Sequence, residues 1–396
     1  MRIAFLFNHD QIHQVAHSLP IALAMAKSGF DGEIIVATTT QRLATEVRRI
    51  GGGLIGSQIA HVELELSALS TLTTRALHAV LPARKLLIYG HNLDFFRSLD
   101  VLVVAEKTSL VLKKVYGLSR LKIIHTRHGA GDRAIGFDRA SAGFDHVLCS
   151  GPKIRDRLIR EARVTPEQIS IVGYPKFDDI RPSASLIRMQ PRRPVVLYNP
   201  HPSPHLSSWY RHGRAVLDFF VDNDDYQLIF APHVMLFERR FVVTIDRLRI
   251  DRPGRIAEKY LHSPNIHIDL GSHASTDMSY TQAADIYLGD VSSQVYEFLY
   301  HPRPCLFLNS HLRAWQDDPN YEHWNAGPVI DTPNGLAVGL GSAIASHADR
   351  YKLIQLAMRE RSFDLSSTPS SVRASEAIMR FIRQTQEPPQ AISSPA

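Results

Sequence analysis

Apolar and polar positions along the chain fall into blocks that repeat with a strand-helix-strand rhythm. Ile3-Ala4-Phe5-Leu6-Phe7 is short and wholly apolar, the pattern of a strand buried on both faces of a parallel sheet. Pro20 to Ser28 carries apolar residues at helical spacing and stops at Gly29, and Glu33 to Ala37 is apolar again. Strand, helix and strand within roughly thirty residues make one unit of a doubly wound sheet. The rhythm continues with strands over 100–105, 122–126, 146–149 and 169–172. Helices are predicted over 108–116 and from Ser150-Gly151-Pro152, with a helical turn at Thr165-Pro166-Glu167-Gln168. Pro182, Pro191 and Pro194, among several arginines, interrupt the series. A second series follows: strands over 194–198, 226–231, 266–269, 286–288 and 305–308, helices over 211–220 and 278–284, and a helix with Val295, Phe298 and Leu299 on one face.

This pattern predicts two Rossmann-like α/β domains, residues 1–180 and 194–371, joined by a linker at 181–193. It adds a helix at 372–386 packing back on the N-terminal domain and a disordered tail at 387–396. Ligands of such sheets bind beyond the carboxyl ends of the strands. Two parallel sheets facing each other would bring those ends to one cleft.

Composition narrows the function classes. The 396 residues are 44% hydrophobic and 21% charged, with a mean hydropathy of −0.12, as in a soluble two-domain protein. Lys plus Arg number 45 against 39 Asp plus Glu, a net charge of +6. That balance suits an anionic ligand or an anionic membrane surface without choosing between them. The arginines are scattered and no nucleic-acid motif occurs, so nucleic acid is not an expected partner. Cys149 and Cys305 are the two cysteines, each inside an apolar run. They read as buried thiols in a reducing compartment, and they exclude a disulfide scaffold and a cysteine zinc site. The first apolar run is too short for a signal-peptide core, and no run reaches the length of a membrane span. The expectation is a cytoplasmic protein, with membrane contact, if there is any, peripheral and at the cytoplasmic face.

Candidate chemistry is sought where reactive side chains follow a strand. Three loops qualify: Thr126-Arg127-His128-Gly129, Ala231-Pro232-His233, and Gly289-Asp290-Val291-Ser292-Ser293. A histidine beside glycine at a strand end can act as a general base near neutral pH. The third loop opens a helix on two serines, and free N–H groups with hydroxyls and a helix dipole offer an anion site; an ordinary serine-capped turn reads the same way.

Other features point away from chemistry. Asn8-His9-Asp10 follows the first strand where a dinucleotide fingerprint would place glycines. Gly51-Gly52-Gly53 reads as a helix exit, because no Lys-Ser or Lys-Thr follows. His201 and His205 are four apart, but Pro202 and Pro204 forbid the helix that would make them a metal pair. His9, His13 and His17 fit a polar helix face, and Asp132 and Asp138 fit surface ion pairs with Arg127 or Arg133. No metal or other cofactor is expected.

Taken together, the loops resemble the CDP-glycerol glycerophosphotransferase family, the polymerase-type transferases of teichoic acid and capsule assembly. His128-Gly129 carries the resemblance, with Gly173-Tyr174-Pro175-Lys176-Phe177-Asp178, which is similar to that family's Gly-x-Pro-Arg-x-Asp. Val195 to Pro200, Pro232-His233, and Gly289-Asp290-Val291-Ser292-Ser293 with Glu297-Phe298 and Pro304 continue it in order. Two departures stand out. Ala130-Gly131-Asp132 replaces the family's Thr and the Lys shortly beyond, and Asn199-Pro200-His201-Pro202 replaces its Pro-Thr-Trp-Arg.

The resemblance implies a GT-B fold and a transferase that uses no metal. A CDP-glycerol-type donor would lie in the C-terminal domain, with its diphosphate at Ser292 and Ser293. Asp290 would orient that loop and Glu297 would meet the ribose, with Gly129 and Lys176 also on the substrate side. His128 would take the proton of a hydroxyl on a glycan or lipid-linked acceptor, and His233 would stabilise phosphate charge. The alternatives are an inverting GT-B glycosyltransferase using a nucleotide-diphosphate sugar such as a UDP-sugar, a UDP-sugar 2-epimerase, which would normally carry Gly-Gly at Ser292-Ser293, and a non-catalytic nucleotide-binding protein.

Overall fold

The structure, a computed structural model, describes residues 1–8, 12–66, 83–127, 129–180, 193–238, 240–244 and 249–386. The linker predicted at 181–193 lies outside them except for Arg193, and the tail at 387–396 lies outside them entirely. The chain forms two compact units. One comprises Met1–Gly129, Phe137–Asp179 and Phe363–Ala396; the other comprises Ala130–Gly136 and Ile180–Ser362.

In the first unit the strands are β1 (Arg2–Phe7), β2 (Glu33–Thr38), β3 (Ala60–Glu63), β4 (Val101–Val104), β5 (Lys122–His125), β6 (His146–Cys149) and β7 (Ile169–Ile171). They form one sheet in the order β3-β2-β1-β4-β5-β6-β7, with every neighbouring pair parallel. The unbroken apolar runs have a plain cause. Ile3, Phe5 and Phe7 face one core while Ala4 and Leu6 face the other, so both pleats of β1 are buried. Burying a side chain such as Phe5 contributes about 2–3 kcal/mol.

The first helix spans Val15–Lys27 and so begins five residues before Pro20, where the sequence predicts its start. Proline forfeits one backbone hydrogen bond there. Val15, Leu19, Ile21, Ala22 and Met25 are buried around it and offset the loss. His17 lies within the same helix and is buried edge-on to Tyr174 at 5.1 Å, not on a polar face. The helix Ser370–Gln386 packs on Val15–Lys27 through Ala374, Ala377, Ile378 and Ile382. Asp178 accepts from the N–H groups of Ser370 and Ser371 at 2.8 and 2.7 Å and caps that helix.

In the second unit β8 (Val195–Asn199), β9 (Gln227–Phe230), an antiparallel pair β10 (Val242–Thr244) and β11 (Arg249–Asp251), β12 (Ile266–Ile268), β13 (Ile286–Gly289), β14 (Cys305–Leu308) and β15 (Val329–Ile330) follow in sequence. The main sheet runs β12-β9-β8-β13-β14-β15, again parallel. From β8 the chain grows outward through β9 and β12, and from β13 through β14 and β15. The order therefore reverses between β8 and β13, and at such a switch point the two following loops part and leave a crevice. Gly289 pairs with Asn199 in this register, so both strands end level at the crevice.

Among the described residues no helix is long and apolar enough to cross a membrane.

Candidate functional site

Asp290 is the first residue beyond β13 and is 1% exposed. Its carboxylate accepts from four donors: the N–H of His201 at 3.0 Å, the N–H and hydroxyl of Ser208 at 2.6 and 2.8 Å, and the N–H of Val291 at 2.6 Å. One side chain thus fixes the whole segment after β8 to the turn after β13. Burial pushes its pKa up to about 6 against the opposing pull of those hydrogen bonds. Its backbone carbonyl accepts from His323 Nε2 at 3.0 Å and Trp324 Nε1 at 2.7 Å.

The turn that follows is held as firmly. Buried Ser292 donates its hydroxyl to Asn199 Oδ1 at 2.6 Å and accepts the N–H of Gln294 at 3.3 Å. Asn199 in turn donates to the carbonyl of Ala231 at 2.6 Å, joining the ends of β8, β9 and β13. Ser293 is exposed. The helix it opens, Gln294–Phe298, has five residues, too few for a sizeable macrodipole. Glu297 lies in this helix and is 7% exposed.

Beside the Asp290 knot stands a basic cluster. His233 follows β9, and its N–H donates to the Pro200 carbonyl at 3.1 Å. The ring lies 6.2 Å from that of His201, centre to centre. His233 Nδ1 accepts the N–H of Met235 at 3.3 Å, so the neutral ring carries its proton on Nε2. Burial, and after it the charge of Arg133, pulls its pKa down to about 4. His201 is buried and shifted well below the ordinary value by burial and then by Arg133. Its Nδ1 faces the N–H of Ser203 at 3.0 Å and its Nε2 faces Arg133 Nη1 at 2.9 Å. Both neighbours can only donate, and a neutral imidazole has one acceptor nitrogen. Whichever nitrogen holds the proton, one N–H points at another. Arg133 is half-buried, and among the described residues no carboxylate pairs with it.

Arg133 reaches this place through Asp132. The Asp132 carboxylate accepts the Tyr296 hydroxyl at 2.6 Å, the His323 N–H at 3.1 Å and His323 Nδ1 at 2.9 Å. His323 therefore has an acceptor at each ring nitrogen, Asp132 on one side and the Asp290 carbonyl on the other. A neutral ring can donate to only one of these acceptors. Asp132 is thus not in the surface ion pair expected of it, because a tyrosine and a histidine far along the chain close over it. Asp138 caps Arg139–Gly143 through the N–H of Ala140 and pairs with Lys107 at 2.8 Å. Gly131 lies against the serine turn so closely that a Cβ there would come within 2.7 Å of Ser293 Cβ.

Of the residues singled out in the sequence, the structure gathers His233, Asp290, Ser292 and Ser293 at the switch point of the second unit, with Glu297 in the helix that follows. His128 lies outside the described residues. Arg127 before it has φ +41 and its guanidinium lies over Phe137 at 4.6 Å. Gly129 and Lys176 belong to the first unit, Lys176 in the turn Pro175–Asp179. Sequence reasoning missed Arg133, although it stands shortly past His128-Gly129, where the resemblance asks for a lysine. Tyr296 and His323 left no such signal, being 164 and 191 residues from Asp132. Among the described residues no group of three or more His, Cys, Asp or Glu side chains is gathered as a metal site.

No protein-family model matches the chain, and no curated protein matches it. Solved structures do. The wall teichoic acid polymerase TagF aligns over 98% of this chain and 90% of its own, with 16% identity and a TM-score of 0.58. The UDP-GlcNAc 2-epimerase from Neisseria meningitidis bound to UDP-GlcNAc aligns over 97% of this chain and 100% of its own, with 12% identity and a TM-score of 0.58. The glycotransferase of kitacinnamycin aligns over 96% and 98%, with 12% identity and a TM-score of 0.56. At these identities the likeness is one of fold. The chain has the expected GT-B-like α/β fold, with parallel sheets of seven and six strands.

Proposed function

We propose that the protein is a transferase that takes a nucleotide-diphosphate-linked donor, and that the donor phosphates lie against Arg133, His201 and His233. The observation that carries this reading is the donor-facing-donor contact of Arg133 and His201, beside a neutral His233, at the switch point of a parallel sheet. A phosphate oxygen placed there accepts from the guanidinium and from the imidazole N–H groups together. Charge-assisted hydrogen bonds of this kind are the strong ones. They stabilise charge that develops on a departing phosphate, which is most of what such a transfer requires.

The donor class that fits the sequence resemblance is a CDP-activated polyol phosphate of the CDP-glycerol type. A hydroxyl of a glycan or lipid-linked acceptor attacks the β-phosphorus, the bond to CMP breaks, and the hydroxyl proton passes to His128. His233, with its proton on Nε2, acts in this scheme as a donor to phosphate and not as a base. TagF, similar in fold, has been solved after soaking with CDPG, which supports the choice of donor to try first.

The cluster would hold a departing nucleoside diphosphate equally well, so inverting glycosyl transfer is the second reading. Incubation with CDP-glycerol, CDP-ribitol and UDP-sugars, with the released nucleotide identified, separates the two. CMP is expected. Release of a nucleoside diphosphate would replace the first reading by the second. If no nucleotide raises the melting temperature, both are wrong.

A further inference from the structure

A cavity of about 650 Å³ opens in the second unit beyond the ends of β14 and β15, within the size range of small-molecule sites. Two unusual pieces of backbone build it. The first is the turn after β14, where Leu312 has φ +51. Leu312 is 69% exposed, so packing of its own side chain does not hold it in this disfavoured region. Asn309 does. Its Oδ1 accepts the N–H of Arg313 at 2.8 Å, its Nδ2 donates to the Arg313 carbonyl at 3.2 Å, and its own carbonyl accepts the N–H of Leu312 at 3.1 Å. The turn thereby carries Arg313 and Trp315 to the cavity.

The second is a single π-turn, His347–Tyr351, between the helices Leu336–Ala345 and Lys352–Ser362. It carries Arg350 and Tyr351 to the cavity, the guanidinium 5.1 Å from the tyrosine ring centre. Backbone departures of both kinds concentrate at functional sites. Here each delivers the same pair of groups, an arginine and an aromatic ring, to one place. Both guanidinium groups are exposed, and among the described residues neither pairs with a carboxylate. Asp331 stands on the rim, and Trp324 forms the inner wall while its N–H holds the Asp290 carbonyl.

We propose that this cavity binds an acidic saccharide. The apolar C–H face of a sugar ring lies on Trp315, its phosphate or carboxylate sits between Arg313 and Arg350, the latter backed by the buried Tyr351 ring, and ring hydroxyls donate to Asp331. Each group has a reason to be there. The Trp315 indole offers flat apolar area at little entropic cost. Paired guanidinium groups favour an oxyanion over a neutral ligand. The Asp331 carboxylate accepts from hydroxyls and repels a second phosphate, which selects a sugar acid over a nucleoside polyphosphate. None of Arg133, His201 and His233 lines this cavity.

The test uses the full chain and three probes at low salt: oligogalacturonate for a carboxylate, a phosphodiester-linked oligosaccharide for a phosphate, and uncharged maltotetraose. Binding is followed by calorimetry, and CMP is added as a competitor. One or both acidic probes are expected to bind at least tenfold more tightly than maltotetraose, and CMP is not expected to displace them. Trp315→Ala is expected to weaken that binding at least tenfold. Arg313→Gln with Arg350→Gln, both at exposed positions, is expected to abolish the preference for charge with an unchanged melting temperature. Equal binding of maltotetraose, no binding of either acidic probe, full binding by the Trp315 variant, or competition by CMP would each overturn the proposal. Competition by CMP would assign the cavity to a nucleotide.

Discussion

Arg133 Nη1 stands 2.9 Å from Nε2 of His201, a ring whose other nitrogen already meets the Ser203 N–H at 3.0 Å. No protonation of a neutral imidazole satisfies both contacts, whereas an anion between Arg133 and the ring satisfies all three groups. Loss of one charge-assisted hydrogen bond costs about 1.5–3 kcal/mol, roughly ten- to hundredfold in affinity. Arg133→Gln should therefore weaken binding of CDP-glycerol or CDP by that factor, and Arg133→Lys should do so less, since lysine keeps the charge but not the fork. Titration calorimetry at two salt concentrations checks this. Unchanged affinity in the glutamine variant would remove Arg133 from the site.

The same histidines make stability depend on pH. His233 is held near 4 in the folded chain by burial and by Arg133, against about 6.5 unfolded. Below pH 6.5 the unfolded chain takes up a proton that the folded chain refuses, so this contribution is complete above 6.5 and is lost as the pH falls toward 4. His201 acts in the same sense. Asp290, raised to about 6, acts oppositely: its contribution is present at low pH and is lost as the pH rises from its unfolded value through 6. Urea midpoints for the wild type and His233→Asn, compared from pH 7.5 to 4.5, isolate the imidazole. The difference should shrink toward acid by at most about 3 kcal/mol, and parallel curves would show that His233 titrates normally.

Gly131 is required by the serine turn and not by its own backbone angles. A methyl group there meets Ser293 Cβ at 2.7 Å, and overpacking of this kind costs typically about 1–3 kcal/mol. Gly131→Ala should destabilise by that amount. Ser293→Gly, which removes the atom struck, should restore most of it in the double variant. A double-mutant cycle in urea measures the coupling, and additive effects would mean that the two loops are not in contact.

The two thiols should be silent. Cys149 and Cys305 are buried in strands, and burial pushes the Cys149 thiol up to about 12 and raises that of Cys305 as well. An aromatic disulfide reagent at pH 8 is expected to leave both unmodified in the native protein and to titrate 2 thiols per chain in denaturant. Fast native reaction would show that β6 or β14 opens.

Much of this molecule is written locally. A parallel strand covered on both faces is apolar along its buried length, so β1 from Ile3 onward, β4 and β14 announce themselves, and the turns between strands carry glycine, proline and serine for reasons of backbone geometry. Reactive residues at strand ends, His233 and Asp290 among them, can be found by the same local rule. Tertiary structure decided the partners. Asp132 reads as a surface carboxylate until Tyr296 and His323 arrive from more than 160 positions away to bury it. Arg133 reads as one scattered arginine until that burial sets it on His201. Burial and long-range pairing are properties of the closed fold, and residues that act through them carry no periodic mark in the chain. The strand ends were legible because they are local, and the charge balance at the site was not because it is assembled.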